Sequence, residues 1–292
     1  MRISPINQNY SYKTSFKGCF SSESLPVAFK NKKLCSYLIH ESAFFRDLDL
    51  LEFTINHLKK LKKPVLNIVS GACSEGFELL SAKMLAENAG LKVNCIGFDL
   101  GENAIQKAKS FNYSILLPKK ESGYADMPGF SDSFLVFKDI KNMSEKEKKL
   151  KRIFDEHFVI NNHNIYKTND FLISQKTNVR LKKEQQENVK FILGNLLEMD
   201  TFIEPNTVDA LFFKNSLYHL TYGETDMIPT HELKNLLNRV AKQISKALSK
   251  NGIFILGNLP RDHEFIVGNE TYEALEKQGL KPIFNKYIWI KE

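Results

Sequence analysis

Apolar residues recur at about every third or fourth position over 43–63 (AFFRDLDLLEFTINHLKKLKK), which predicts a helix, and Pro64 stops it. The run VLNIV (65–69) that follows is short, apolar and β-branched, as expected of a strand buried on both faces. A turn of small residues, SGACSEG, leads into the helical stretch FELLSAKMLAENAG, which Gly90 closes. A second strand, VNCIGF (93–98), ends at Asp99, and GENAIQKAKS reads as the next helix. Strand, helix, strand, helix in so short a span is the signature of parallel βαβ units.

Residues 111–190 break the rhythm. They hold the lysine-rich MSEKEKKLKRIFDEHF, predicted helical, and polar segments such as NNHNIYKTND, expected to form loops and short strands. Alternation returns with VKFIL (189–193) and VDALFF (208–213), a helix over about 230–249, and the strand GIFILG (252–257) after Asn251-Gly252. The tail PIFNKYIWI (282–290) is expected to be a last strand at the sheet edge. The pattern predicts an α/β fold: a doubly wound, mostly parallel sheet with a helical N-terminal flap and an insertion after the second strand. Its parts are a weakly ordered leader over 1–25, a short helical segment over 26–63, and a main domain over 64–292 with its insertion at 111–190. No internal repeat is visible.

Composition narrows the class. The chain of 292 residues is 42% hydrophobic and 26% charged, ordinary values for a globular protein. No stretch approaches the roughly 18 apolar residues of a membrane span. The opening MRISPINQNYSYKTSFKGCF lacks the apolar core of a secretory signal, so the cytoplasm is the expected compartment. Cys19, Cys35, Cys73 and Cys95 form no Cys-x-x-Cys pair, which argues against zinc and against a disulfide framework. The net charge is +7, with lysines crowded into 138–152 and 176–190. That balance suits acidic partners, and equally a solvated helix face.

The first strand–turn–helix carries the chemistry. Ligands of open α/β sheets bind beyond the carboxyl ends of the strands. Gly71 and Gly76 are expected to remove side-chain bulk where a ligand must approach the backbone. Asp99, about twenty residues on at the end of the second strand, is where a carboxylate accepts hydrogen bonds from a ribose diol; capping of the next helix is its other reading. The strict Gly-x-Gly-x-x-Gly fingerprint of pyrophosphate cofactors is absent, as is the Walker lysine motif. A nucleoside cofactor lacking a pyrophosphate points to S-adenosylmethionine.

Four segments, in order, resemble the chemotaxis-receptor glutamate methyltransferases, the CheR family. The first is His40-Glu41-Ser42-Ala43-Phe44-Phe45-Arg46-Asp47, against the family's Asn-x-Thr-x-Phe-Phe-Arg and an acidic residue. The second, Ala72-Cys73-Ser74-Glu75-Gly76-Phe77-Glu78-Leu79-Leu80-Ser81, is similar to Gly-Cys-Ser-Thr-Gly-Glu-Glu-Pro-Tyr-Ser. The third is Asp99 with Ile105-Gln106-Lys107-Ala108-Lys109-Ser110-Phe111-Asn112-Tyr113. The fourth joins Asn195-Leu196-Leu197-Glu198 to Val208-Asp209-Ala210-Leu211-Phe212-Phe213-Lys214-Asn215. The resemblance spans about residues 40–260.

It implies a Rossmann-like class I methyltransferase that uses S-adenosylmethionine. Cofactor contacts would come from His40, Ser42, Arg46, Gly71, Ala72, Cys73, Glu78, Asp99, Leu100, Asn195, Leu196, Lys214 and Asn215. Among these, Glu78 would meet the amino group, Asp99 the ribose, Asn195 and Leu196 the adenine, and Asn215 the methionine end. Arg46, Lys214 and His219 would serve catalysis, Arg46 by orienting an acceptor carboxylate through its planar pair of donors. The implied partner is a protein with an exposed glutamate. Two further readings stand beside it: a methyltransferase for nucleic acid or a small molecule, and a cofactor-binding adaptor without catalysis. The absence of an Asn/Asp-Pro-Pro-Tyr motif counts against nucleic acid. Lys214 stands where the family has arginine, His219 where it has tyrosine, Phe77 where it has a glutamate, and His40 where it has asparagine. The family's late Gly-His-Ser-Glu is Gly257-Asn258-Leu259-Pro260 here, and its N-terminal receptor-contacting domain is shortened.

Overall fold

The computed structural model describes residues 44–118, 144–164, 173–214, 230–256, 269–284 and 286–292. The leader expected over 1–25 and the first part of the 26–63 segment lie outside them. The helices are α1 (Leu48–Leu61), α2 (Phe77–Asn88), α3 (Glu102–Ser110), α4 (Glu145–His157), α5 (Thr230–Ala247) and α6 (Asn269–Lys277). The strands are β1 (Leu66–Gly71), β2 (Val93–Asp99), β3 (Asn112–Pro118), β4 (Phe158–Asn164), β5 (Ile173–Leu181), β6 (Val189–Leu193), β7 (Val208–Phe212), β8 (Leu248–Ile255), β9 (Leu280–Phe284) and β10 (Ile288–Lys291).

Seven strands form the main sheet in the order β6-β2-β1-β7-β8-β10-β9. The first five run parallel, and β10 pairs antiparallel with both β8 and β9. The expected doubly wound sheet is therefore present, with its direction of winding reversing between β1 and β7. Alternate residues of the central strands feed two separate cores, one per face. Ile68, Ala210, Phe212, Ile253 and Ile255 join α1, α2, α3 and α4 on one side. Val69, Leu211, Phe213, Phe254 and Trp289 join α5, α6 and the turn at 196–203 on the other. Such two-sided burial explains the continuous apolar runs that marked these strands.

Three expectations are corrected. The tail is a hairpin rather than one edge strand: β9 holds the edge and β10 inserts between it and β8, where Trp289 is wholly buried. Helix α6 precedes it and had no counterpart in the pattern reading. The segment over 111–190 contains a three-stranded antiparallel sheet, β3-β5-β4, with strands as long as nine residues, as well as the expected lysine-rich helix α4. Ser144 caps that helix in a box with Glu147.

The N-terminal helix begins only at Leu48. Residues 44–47 form a turn in which Phe45 (φ 59°) and Asp47 (φ 54°) take left-handed conformations that non-glycine residues rarely adopt. Phe44, wholly buried, fills the space between the main domain and the second sheet: its ring lies 4.7 Å from that of Phe77, 5.1 Å from Phe154 and from Phe158, and 5.7 Å from Tyr113. Phe77 belongs to this aromatic core, with its ring also 5.0 Å from that of Tyr113.

Among the described residues, no helix is long and apolar enough to cross a membrane.

Candidate functional site

The winding reverses between β1 and β7, and the carboxyl ends of strands at such a switch point are where open α/β sheets hold ligands. The turn after β1 lies at that end. Ala72 and Ser74 (each φ 50°) and Gly76 (φ 90°) bend the chain sharply before α2. Cys73 N–H donates to the Phe98 carbonyl, tying the turn to β2, and Gly76 N–H donates to Cys73.

Packing also requires the two turn glycines to be small. A Cβ on Gly71 would lie 2.6 Å from the Phe98 ring and 2.9 Å from Phe213, and one on Gly76 would lie 2.6 Å from Phe191. Phenylalanine rings of the core take up the space that the missing side chains leave.

Asp99 ends β2 and is 8% exposed. One carboxylate oxygen accepts from Ser74 N–H at 2.8 Å, and the other from Gly101 N–H, at the start of α3, at 2.7 Å. Asp99 thus organises the turn and the helix start, and each oxygen keeps acceptor capacity beyond its one backbone bond. Leu100 follows, half-buried. Gly194 N–H donates to the Asp99 carbonyl, which brings the end of β6 alongside. There Asn195 is buried and its side-chain oxygen accepts from Leu197 N–H, capping the short helix Leu196–Thr201, while Leu196 packs into the core.

Glu78 stands in the first turn of α2, where the helix dipole favours an anion. One of its oxygens accepts from the Ser70 hydroxyl at 3.0 Å and the other from the Lys214 ammonium at 3.0 Å. Lys214 lies just beyond β7, its side chain 3% exposed. It also donates to the Asp47 carboxylate at 3.0 Å and to the Arg46 carbonyl at 3.4 Å. Burial pushes the lysine's pKa down, but the two carboxylates outweigh it, so the net shift is upward and the side chain stays charged. Burial, then Asp99 and Glu78, push the Cys73 thiol well above its ordinary range and so favour its neutral form.

Arg46 is on the strained turn rather than on the helix as expected. Its guanidinium is a quarter exposed and 4.0 Å from the Asp47 carboxylate. The structure thus draws Arg46, Gly71, Ala72, Cys73, Glu78, Asp99, Leu100, Asn195, Leu196 and Lys214 to the carboxyl-end side of the sheet or its flanking turns. His40, Ser42, Asn215 and His219 lie outside the described residues. Sequence reasoning missed Ser70 and Asp47 as partners. The signals were a hydroxyl at the end of an apolar strand, and an acid following the Phe-Phe-Arg run.

The sequence matches no family model and no curated protein. Solved structures similar to it include monomeric WbdD, at 13% identity and TM-score 0.41, covering 84% of this chain and 40% of that one. Another is the phosphoethanolamine N-methyltransferase 2 of Haemonchus contortus in complex with S-adenosyl-L-methionine, at 13% identity and TM-score 0.33, covering 78% and 36%. A third is a TehB-like SAM-dependent methyltransferase of Corynebacterium glutamicum, at 10% identity and TM-score 0.39, covering 93% and 99%. This chain spans about two fifths of the length of WbdD. At TM-scores below 0.5 these likenesses carry no weight beside the strand order. That order, with the antiparallel β10 inserted between β8 and β9, is a Rossmann-like doubly wound α/β fold.

Proposed function

We propose that the protein is an S-adenosylmethionine-dependent methyltransferase acting on a protein carboxylate, with a glutamate side chain as acceptor. The observation that carries the reading is the pair of partly covered carboxylates near the β1/β7 switch point: Asp99 at the end of β2 and Glu78 in the first turn of α2. Their chemistry fits the cofactor. Asp99 retains acceptor capacity for a ribose diol, and Glu78 offers an anion to an amino group beside a helix N-terminus. Asn195 and Leu196 flank the base in this reading, with Gly71, Ala72, Cys73 and Leu100 contributing backbone around it and His40, Ser42 and Asn215 completing the contacts. When bound, the cofactor supplies a methyl group on a sulfonium.

A carboxylate acceptor is already ionised near neutral pH and needs no general base. The described site agrees, since its buried thiol and its buried lysine are both held in their protonated forms. Arg46, on a turn fixed at that end of the sheet, orients the acceptor carboxylate through paired donors. Positioning and exclusion of water supply the acceleration. His219 is the residue this reading leaves for a proton-bearing acceptor.

The test is methyl transfer from labelled cofactor to protein in an extract of the source cells. Methyl esters of carboxylates release volatile methanol in mild alkali, whereas N-methyl groups do not. Alkali-labile label that disappears with Arg46→Ala supports the carboxylate reading. Alkali-stable label moves the acceptor to an amine and the proton-accepting role to His219.

A further inference from the structure

Lys214 joins two parts of the chain that are remote in sequence. Through Asp47 and the Arg46 carbonyl it holds the N-terminal turn; through Glu78, itself bonded to Ser70, it holds the end of β1 and the start of α2. The turn is strained, with left-handed Phe45 and Asp47, and such conformations persist only where the surroundings over-determine them. Several of those surroundings are identifiable among the described residues. Phe44 and Phe45 are wholly buried, Ser81 Oγ accepts from Phe45 N–H at 2.8 Å, and Lys214 supplies the electrostatic anchor.

We infer that Lys214 is a positioning residue that couples loading of the cofactor site to docking of the turn carrying Arg46. The inference rests on the assignment of Glu78 to the cofactor's amino group. Glu78 is then contested by two cations, the ligand's ammonium and Lys214. A ligand that takes up part of the Glu78 charge shifts Lys214 toward Asp47 and the Arg46 carbonyl, and tightens the turn. Linkage requires the converse: weakening the grip of the turn on Lys214 leaves the lysine on Glu78 and weakens the ligand. Lys214 thereby acts on the acceptor through Arg46 and does not itself bind the acceptor.

The experiment uses the full chain with S-adenosylhomocysteine as probe, read by calorimetry and by amide hydrogen exchange over residues 45–51. In the unmodified protein, ligand should slow exchange in that segment. Asp47→Asn, which the cofactor is not expected to touch, should weaken binding about fivefold or more. Lys214→Met should still bind but lose the ligand-dependent protection, and Lys214→Arg should restore it. An unchanged dissociation constant in Asp47→Asn, or protection that persists in Lys214→Met, overturns the coupling while leaving the cofactor reading intact. Failure of the unmodified, folded protein to bind S-adenosylhomocysteine sinks both. Asp47→Asn keeps the test decisive if the lysine variants do not fold.

Discussion

The Asp99 carboxylate accepts from the backbone N–H of Ser74 at 2.8 Å, across 25 residues of sequence, and this bond locks the turn after β1 to the end of β2. The same side chain holds Gly101 N–H, so one residue organises two loops at the carboxyl ends of the strands. Asp99→Ala leaves two backbone donors without their acceptor and should cost about 2–4 kcal/mol of stability. Asp99→Asn keeps one acceptor oxygen and should lose roughly half as much. Urea unfolding with an unchanged slope and a shifted midpoint checks both. Equal midpoints for the two variants would contradict the division between the oxygens.

Gly76 combines a positive φ of 90° with a Phe191 ring 2.6 Å from where a Cβ would stand. Gly76→Ala should therefore destabilise by about 2–4 kcal/mol, through backbone strain and overpacking together. Adding Phe191→Leu should recover the packing share and leave the strain, a difference that a double-mutant cycle measures.

The central strands and Asp99 were legible because their signals are local. VLNIV and VDALFF are mostly apolar, Asn67 and Asp209 apart, because both faces of the sheet are covered, and an acid closing such a strand stands out. What was not legible depends on distant partners. Lys214 meets Asp47 across 167 residues, and the acid after the Phe-Phe-Arg run does not by itself point to so distant a lysine. The room that Gly71 and Gly76 leave is taken by Phe98, Phe213 and Phe191, which follow only from strand register. The terminal hairpin escaped for the same reason. Trp289 stands opposite Phe254, a pairing set by the whole sheet rather than by the tail's own alternation.

The aromatic core around Phe44 makes a separate prediction. Phe77→Glu would place a carboxylate at a position only 9% exposed, with the rings of Phe44 and Tyr113 at 4.7 and 5.0 Å. The expected loss is about 3–5 kcal/mol, against a far smaller one for Phe77→Leu. Thermal unfolding of the two variants compares them. A stable Phe77→Glu protein would show that this core does not anchor the second sheet.

At the opposite end of α2, Glu87 accepts from Lys83 and pairs with Nε2 of His157, joining the main domain to α4. Burial pushes the Glu87 carboxyl upward, but the hydrogen bonds from His157 and Lys83 outweigh it, and its pKa falls below the ordinary value near 4.5. A carboxyl whose pKa is depressed on folding contributes stability above its unfolded pKa and loses it as pH falls through the folded one. The stability difference between the unmodified protein and Glu87→Gln should therefore be larger at about pH 5.5 than at about pH 3. Denaturant titrations at the two pH values measure it, and a difference independent of pH would refute the assignment.

The most direct test of the central claim is calorimetric titration of the purified, folded protein with S-adenosylmethionine and S-adenosylhomocysteine. The account predicts micromolar binding of both, weakened more than about tenfold by Asp99→Ala, the loss expected when a buried acceptor of the ribose diol is removed. No detectable binding by the folded protein, or binding that Asp99→Ala leaves unchanged, would contradict it.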